Sequence, residues 1–147
     1  MEFSQPTLAI DRDRYRADLA TMITDFQPTH FVTFVFNAAV TAHMAKADFA
    51  RFRMWVIRKL TGVRNAVDQI DLPFIGTIEH ENSNLHLHVL FRLPADLGAG
   101  FDQCAPRMWK KLRKAGNLDI KPVYDALGVA HYIVKELNPS EDHRLLL

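Results

Sequence analysis

The sequence predicts an α+β domain with a βαββαβ core, the split βαβ arrangement, flanked by one extra helix on each side. Short apolar runs rich in β-branched and aromatic residues alternate with longer segments whose apolar residues recur every three or four positions. Two of the strand-like runs are separated only by a short polar stretch, which predicts a hairpin. A chain of 147 residues suits one domain, so we expect residues 1–147 to form a single domain with its core at about 30–138.

The first half of the chain predicts a helix, a strand and a second helix. Segment 9–26 has helical apolar spacing, and Pro28 limits the helix. Segment 30–37, HFVTFVFN, has the short, aromatic and β-branched character of a buried strand. Segment 42–62 is amphipathic with helical periodicity and stops at a glycine, which predicts the second helix.

The second half predicts two strands, a basic helix, a third strand and a last helix, in the order 73–81, 85–94, 104–117, 118–125 and 126–138. The polar letters NSN between the first two strands favour a turn. Gly116 ends the basic helix and Pro139 ends the last one. Pro122 cannot donate a ladder hydrogen bond, so its strand is expected either to lie at an edge of the sheet or to end early.

The composition is that of an ordinary globular protein, with 48% hydrophobic and 24% charged residues. A single cysteine, Cys104, excludes an intramolecular disulfide and favours a reducing compartment. No apolar run approaches the ~20 residues of a membrane helix, and the first residues lack the order of a signal peptide. We therefore expect a cytoplasmic protein without a membrane partner.

Two basic blocks stand out against a net charge of only +1. Residues 43–64 contain six basic side chains and one acidic, and residues 101–121 contain six basic and two acidic. Such blocks form either a positive surface for a polyanion or two solvated helix faces, and charge alone does not separate these alternatives.

The hairpin segment TIEHENSNLHLHVLFRL carries polar residues with a period of two. Since side chains alternate along a strand, His86, His88 and Arg92 share one face. The opposite face, beginning at Leu85 and Leu87, is wholly apolar and must face the core. The histidines therefore point to the sheet face that the helices of a βαββαβ unit leave open, unless the terminal helices cover it.

The length of the hairpin loop decides which residue lies opposite His86. A loop of two or four residues puts Glu79 opposite His86 and Thr77 opposite His88, about 5 Å apart. A loop of five residues would instead put His80 opposite His86. We favour Glu79, because the other register turns a carboxylate to the apolar face. His80 is then expected on the core side or at the strand end.

Glu79, His86 and His88 together suit a divalent cation that keeps open coordination positions. Two imidazoles and one carboxylate on one face of a hairpin are the residue types that such a site requires. The alternative is a pair of surface histidines on a half-exposed strand, because a lone His-x-His pattern is common.

The last helix places a tyrosine at the centre of its polar face, with Lys135 one turn on. Its other side is expected to be buried and consists of Leu127, Ala130, Ile133, Val134 and Leu137. Tyr132 either covers a hydrophobic edge with its ring or acts as a nucleophile on phosphorus, with Lys135 supplying a positive charge. Tyr124, on the strand before the helix, is a weaker candidate.

Three segments, in this order, resemble the motifs of the HUH endonucleases, specifically the rolling-circle replication initiator (Rep) proteins of small circular single-stranded DNA replicons. Segment 31–37, FVTFVFN, looks like the first motif, an apolar strand. Segment 86–91, HLHVLF, is similar to the His-hydrophobe-His motif, and segment 132–136, YIVKE, to the Tyr-x-x-Lys motif. The resemblance covers about residues 31–137 and implies a ferredoxin/RRM-like fold with a single catalytic tyrosine.

The resemblance also assigns roles to the site residues. Rep proteins carry a glutamate ligand in the strand next to the histidine pair. Glu79 fits this role with the spacing of parvoviral Rep proteins, whereas the plant-virus pattern places it at Ile78. Mg²⁺ or Mn²⁺ held by Glu79, His86 and His88 would polarise a scissile phosphate. Tyr132 would attack it, and Lys135 would stabilise charge at the phosphate or position the metal.

The resemblance implies sequence- or structure-specific nicking and religation of single-stranded DNA, at an origin or a hairpin, through a 5′-phosphotyrosine intermediate. This nicking would initiate rolling-circle replication, so the resemblance also implies association with the nucleoid or a replicon. The expected DNA contacts are Arg92, Arg107, Lys110, Lys111 and Lys114. The chain lacks G-x-x-x-x-G-K-[ST], so a separate helicase is the expected partner. The alternatives are a single-tyrosine HUH transposase or relaxase-type enzyme, and a non-catalytic module that binds single-stranded nucleic acid.

Overall fold

The computed structural model describes residues 11–62, 72–135 and 137–147. Within them lie four α-helices and one five-stranded antiparallel sheet, which confirms the α+β class and the βαββαβ order. Two residues of the sequence patterns, Glu136 of YIVKE and Arg64 of the first basic block, lie outside the described residues. The elements are α1 (Arg12–Phe26), β1 (His30–Val35), α2 (Ala42–Thr61), β2 (Phe74–Glu79), β3 (His86–Phe91), α3 (Gly98–Leu112), β4 (Asn117–Pro122), α4 (Ala126–Val134) and β5 (Leu145–Leu146).

Local capping explains where several helices begin and end. The Thr41 side chain accepts a hydrogen bond from a backbone N–H in the first turn of α2, and Asp125 does the same for α4. Gly62 ends α2 with a φ of 70°, a left-handed conformation that glycine adopts without strain. The helix end predicted at Gly62 is confirmed.

The sheet order is β4-β1-β3-β2-β5, so the histidine strand β3 is central. Helices α2 and α3 cover one face of the sheet, and α1 and α4 cover part of the other. Alternation along β3 sends Leu87 into the α2/α3 core and Leu90 into the α1/α4 core. The histidine face is thus partly covered by the terminal helices, one of the two situations expected from the sequence.

Helix α3 begins at Gly98, more than a turn before the predicted start, and includes Pro106. A proline inside a helix removes one hydrogen bond and is normally unfavourable. Here Phe101, Cys104 and Trp109 are buried at helical spacing on both sides of the proline, and their packing outweighs its cost.

The last helix differs from its prediction in two respects. Its helical hydrogen bonding ends at Val134 rather than near Asn138. Leu127 is 54% exposed, so its predicted burial is wrong, whereas Ala130 and Ile133 are buried as expected. Leu127 lies in the first turn of α4.

The two edges of the sheet are formed by β4 and β5. Pro122 ends β4, and its predicted edge position is confirmed. The two-residue strand β5, which the sequence analysis does not predict, pairs with Gly76 and Thr77 of β2. Among the described residues, no helix is both long and apolar enough to cross a membrane.

Candidate active site

The hairpin register matches the prediction from the sequence. Strands β2 and β3 pair so that Glu79 lies opposite His86 and Thr77 opposite His88. Ile78, the position of the plant-virus pattern, is fully buried in the α2/α3 core on the other face. The register therefore places the carboxylate of Glu79 on the histidine face.

Glu79 and His88 form a direct pair rather than two separate side chains. Oε2 of Glu79 lies 2.8 Å from Nε2 of His88, and both side chains are buried, at 7% and 6% exposure. Thr33 of β1 lies opposite His88 and places Oγ1 3.1 Å from Nδ1 of the ring. Both ring nitrogens of His88 are therefore held, one by each neighbouring strand.

The pKa of Glu79 lies below its ordinary value. Burial acts in the opposite direction and is the largest single influence, but the hydrogen bond and charge of His88 outweigh it, together with the charges of His80 and Arg144. Glu79 is thus ionised near neutral pH. Since a carboxylate only accepts hydrogen bonds, Nε2 of His88 donates in this pair.

His86 stands beside the pair without joining it. The ring centroids of His86 and His88 are 6.3 Å apart, and Nδ1 of His86 is buried with no hydrogen-bond partner of normal geometry in residues 11–62, 72–135 and 137–147. Burial lowers the pKa of His86, although the Leu85 backbone acts against this shift. The oxygen of the Thr77 hydroxyl is likewise buried and unpartnered within the described residues.

His80 lies closer to the site than the sequence suggests. Its φ of 54° is left-handed, which breaks the alternation at the end of β2. As a result its ring centroid lies 5.2 Å from that of His86, and the side chain is exposed. The prediction from the sequence continues the alternation of side chains one residue past the end of β2. It therefore places His80 away from the histidine face.

Glu79 and His88 are the residues that could hold a divalent cation, and His86 lies nearby as a possible third donor. Two ligands at right angles around an octahedral cation with ~2.1 Å bonds are ~3 Å apart, close to the 2.8 Å separation of the Glu79 and His88 atoms. Thr33 could accept an Nδ1–H bond from a metal-bound His88, which is the usual supporting contact of a histidine ligand. In the described parts of the chain, however, no three His, Cys, Asp or Glu side chains form a metal-binding group.

Helix α4 brings Tyr132 to this pair. The Tyr132 and His88 ring centroids are 6.2 Å apart and edge-on, and Phe31 of β1 contacts both rings. Tyr132 is nevertheless 46% exposed, so one side of its ring lies against the site and the other faces solvent. A reactant in solvent can therefore reach the phenol next to a buried acid–base pair.

Lys135 lies over the tyrosine ring, with Nζ 4.3 Å from its centroid. This places a positive charge beside the phenol, as the spacing of the two residues predicts. Next to Tyr132 is an open groove of about 480 Å³, lined in part by Phe31, Lys121 and Tyr124. Tyr124 is 92% exposed at its rim, so the groove presents aromatic rings and a cation together.

Arg92 is on the histidine side but has a structural partner there. Its Nη1 donates to the carbonyl of Phe26 at 3.0 Å, and its guanidinium lies 4.9 Å from the centre of the Phe26 ring. It therefore binds the end of α1, and its predicted contact with DNA remains a prediction.

The cations of the basic helix do not gather at this site. Helix α3 packs on the opposite face of the sheet, and Arg107, Lys110 and Lys111 extend from it. Lys114 follows the helix, and Lys110 donates to the carbonyl of Gly116. Their charge predicts contacts with DNA phosphates, which stays a prediction, and the sheet lies between α3 and Tyr132.

Sequence reasoning missed two polar neighbours of the histidines, Thr33 and His80. Thr33 carries a visible signal, since it is the one hydroxyl in the apolar strand FVTFVF. Its contact with His88 depends on the pairing of β1 with β3, which joins residues 55 positions apart.

Comparison of the sequence with models of protein families and with curated proteins, and of the fold with solved structures, gave no match. The resemblance of the three motifs to Rep proteins therefore stays a prediction. The case for a function depends on the site residues themselves.

Proposed function

We propose that this chain is a metal-dependent nicking and joining enzyme for single-stranded DNA, with Tyr132 as its nucleophile. The observation that carries the proposal is the contact of a half-exposed tyrosine with the ring of His88, which is buried and paired with Glu79 on the central hairpin. Residues from α4 and from the β2–β3 hairpin, which are far apart in the chain, meet at this one point. A phosphate next to Tyr132 would lie beside both the pair and the Lys135 ammonium.

The reaction moves a phosphoryl group of the DNA from a 3′ oxygen to the phenol oxygen of Tyr132. It consumes no protons and no co-substrate overall. The phenol oxygen of Tyr132 forms a bond to phosphorus, and the bond from phosphorus to the 3′ oxygen breaks. The departing oxygen takes a proton equivalent to the one that the phenol loses, which leaves a 3′-hydroxyl and a 5′-phosphotyrosine. The same steps in reverse rejoin the strand.

Each residue has a distinct task in this reaction. Glu79 and His88 would hold the divalent cation, with His86 as the third candidate ligand, and a bound cation would supply Lewis-acid polarisation of the phosphate. Thr33 fixes the ring of His88. Lys135 offers a positive charge next to the phenol, where negative charge develops as the proton leaves.

The groove beside Tyr132 supports single-stranded DNA as the substrate. Phe31, Tyr124 and Tyr132 offer aromatic surface to unstacked bases. Lys121 also lines the groove, but its Nζ lies 3.7 Å from Asp119, and Asp125 adds a carboxylate to the lining, so the rings rather than the charge support the proposal. Bases in a duplex are stacked on each other and do not present their faces to these rings. The initiation of replication at an origin, and the participation of a separate helicase, belong to the same proposal through the motif resemblance.

One observation favours a second candidate, a non-catalytic module that binds single-stranded nucleic acid. The polar atoms of Glu79 and His88 already satisfy each other inside the protein, as a purely structural pair would. The exposed Tyr124 would serve such a module equally well. The two candidates differ in one product, the covalent DNA–protein adduct.

The test uses random-sequence single-stranded oligonucleotides, labelled at the 3′ end in one sample and at the 5′ end in another, with Mn²⁺. We expect a covalent adduct on denaturing gels that retains the 3′ label, and a shortened 5′-labelled product. Tyr132→Phe should reduce the adduct by at least about a thousandfold, because a phenyl ring has no nucleophile. EDTA should also abolish it.

Tyr124→Phe is the matched control, since it removes a hydroxyl from the same groove and should leave the adduct in place. An adduct that survives Tyr132→Phe and maps to another peptide by mass spectrometry would overturn the assignment of the nucleophile. Tight binding of the oligonucleotides without any adduct would establish the binding module instead.

A further inference from the structure

A second groove lies on the opposite side of the molecule, between the outer surfaces of α2 and α3. It has a volume of about 420 Å³ and is lined by Trp55, Arg58, Lys59, Met108 and Lys111. The three α2 residues are spaced to share one helix face, and the two α3 residues share another. The groove is therefore built from two packed helices, and its size is in the range of small-ligand sites, ~300–1,000 Å³.

The groove has a positive charge that nothing described nearby neutralises. Helices α2 and α3 together carry eight basic and two acidic side chains. Of the two acids, Asp48 is paired with Arg113, and Asp102 lies beside His30. Within the described residues, the three cations of the groove form no ion pair, so their charge is available to an anion.

The floor of the groove is apolar and aromatic rather than polar. Trp55 is only partly buried, so part of its indole is open to solvent, and Met108 lies beside it. A flat aromatic surface surrounded by cations suits a nucleobase stacked on the ring, with the flanking phosphates on the cations. Duplex DNA hides its base faces, whereas the bases of a single strand are free to stack on the open indole.

We propose that this groove binds single-stranded nucleic acid, with a base stacked on Trp55 and the adjoining phosphates held by Arg58, Lys59 and Lys111. The site is independent of the tyrosine centre, because the sheet lies between them. It also gives a task to the basic blocks of α2 and α3, which the tyrosine centre does not use.

Tryptophan fluorescence offers a local readout of the stacking. The chain has two tryptophans, and Trp109 is fully buried, so a stacked base should quench Trp55 alone. The probe is an oligothymidine of ~12 nucleotides, a length in the range that single-strand sites cover. We expect saturable quenching by this oligonucleotide, and little quenching by duplex DNA of the same length or by polyglutamate.

Fluorescence anisotropy of a labelled oligothymidine then measures the affinity of the variants. Trp55→Ala should weaken binding about five- to a hundredfold, and Trp55→Phe should restore part of it because a phenyl ring still stacks. Lys111→Ala should reduce the slope of log affinity against log salt by about one, whereas Arg12→Ala, on α1, should not.

Binding of the oligothymidine by anisotropy with no quenching of Trp55 would overturn the proposal, because the oligonucleotide would then be bound elsewhere, for example in the groove beside Tyr132. Equal quenching by duplex DNA or by polyglutamate would also overturn it, in favour of a site for any polyanion or for an acidic protein. The covalent adduct at Tyr132 is scored separately, so this proposal and the nicking activity can fail independently.

Discussion

The two faces of the sheet are packed by helices of different character. On the α2/α3 side, twenty buried hydrophobic residues form one core within the described residues, and the two helices carry eight basic and two acidic side chains. On the α1/α4 side, eight buried hydrophobic residues form a smaller core, α1 carries three basic and three acidic side chains, and α4 carries neither kind. The candidate active site lies entirely on this second side.

We infer from this difference that the α2/α3 side provides most of the stability, whereas the α1/α4 side carries the candidate active site. The large core contains mostly aromatic and aliphatic side chains, including Phe34, Phe52 and Trp109 in mutual edge-to-face contact. The smaller core leaves room next to it for Glu79 and His88, two polar groups whose burial costs free energy. We infer that the face with the smaller core opens more easily, as expected for regions that bind ligands.

The sharpest test of this comparison uses one strand. Leu87 and Leu90 lie in β3, are both fully buried and point to opposite faces. We expect Leu87→Ala to lower the free energy of unfolding by ~3–5 kcal/mol and Leu90→Ala by ~2–3 kcal/mol. The cavity at Leu90 should partly close, because α1 and α4 can settle onto the sheet. Urea denaturation followed by circular dichroism measures both values.

An equal loss at the two positions, or a larger one at Leu90, would show that the smaller core is as rigid as the large one. The separation of stability from chemistry would then fail.

A second test compares one paired carboxylate on each face, Glu79 with His88 and Asp48 with Arg113. We expect Glu79→Gln to slow adduct formation by about a hundredfold, because it removes the charge of a proposed metal ligand while preserving its shape. Asp48→Asn should lower stability by ~1–3 kcal/mol and leave the rate per folded molecule unchanged. Initial rates of adduct formation with excess Mn²⁺ give both numbers. Similar rates in the two variants would remove Glu79 from the site.

The smallest predicted effect concerns the pH dependence of the free energy of unfolding, to which groups on the two faces contribute in different pH ranges. Burial lowers the pKa of His30, on the α2/α3 side, below its ordinary 6.5, although the Asp102 carboxylate opposes this shift. The unfolded chain binds the proton first as the pH falls. His30 therefore contributes stability that is present above pH 6.5 and is lost as the pH falls through the folded-state pKa.

Glu79 also contributes stability that is lost as the pH falls, but at lower pH than His30. Its contribution is present above its ordinary pKa of 4.5 and is lost below it. The urea midpoint should be measured from pH 7.5 to 3.5. We expect it to change less with pH in the upper part of this range for His30→Asn, and less in the lower part for Glu79→Gln. The pKa of His86 is also lowered, so its contribution to stability is lost in the same upper pH range. The urea midpoint of His30→Asn should therefore still change somewhat with pH there. Superimposable curves for the two variants would contradict these assignments.

The parts of the site that were predicted correctly depend on local rules. Alternation along β3 separates His88 from Leu87, and the short loop fixes Glu79 opposite His86. Helical spacing puts Tyr132 and Lys135 on one face. Each of these inferences spans only a few residues, over which the geometry of the chain leaves few choices.

The parts that were missed depend on distant contacts or on single backbone angles. The Thr33–His88 bond requires the register of β1 on β3, which no local pattern encodes. The approach of His80 to His86 results from one left-handed residue. The DNA contacts expected on the basic helix stay a prediction, and α3 packs on the other side of the sheet from the histidines.

The treatment of the sheet edges has a consequence for the behaviour of the protein at high concentration. An unpaired strand edge can recruit a strand from another molecule and start an open-ended aggregate. Here β4 ends in Pro122, which has no N–H to offer, and carries the charged Asp119 and Lys121. At the opposite edge, β5 occupies the positions next to Gly76 and Thr77 and is itself only two residues long. Because both edges are protected in this way, we expect the sheet to resist the addition of strands from other molecules.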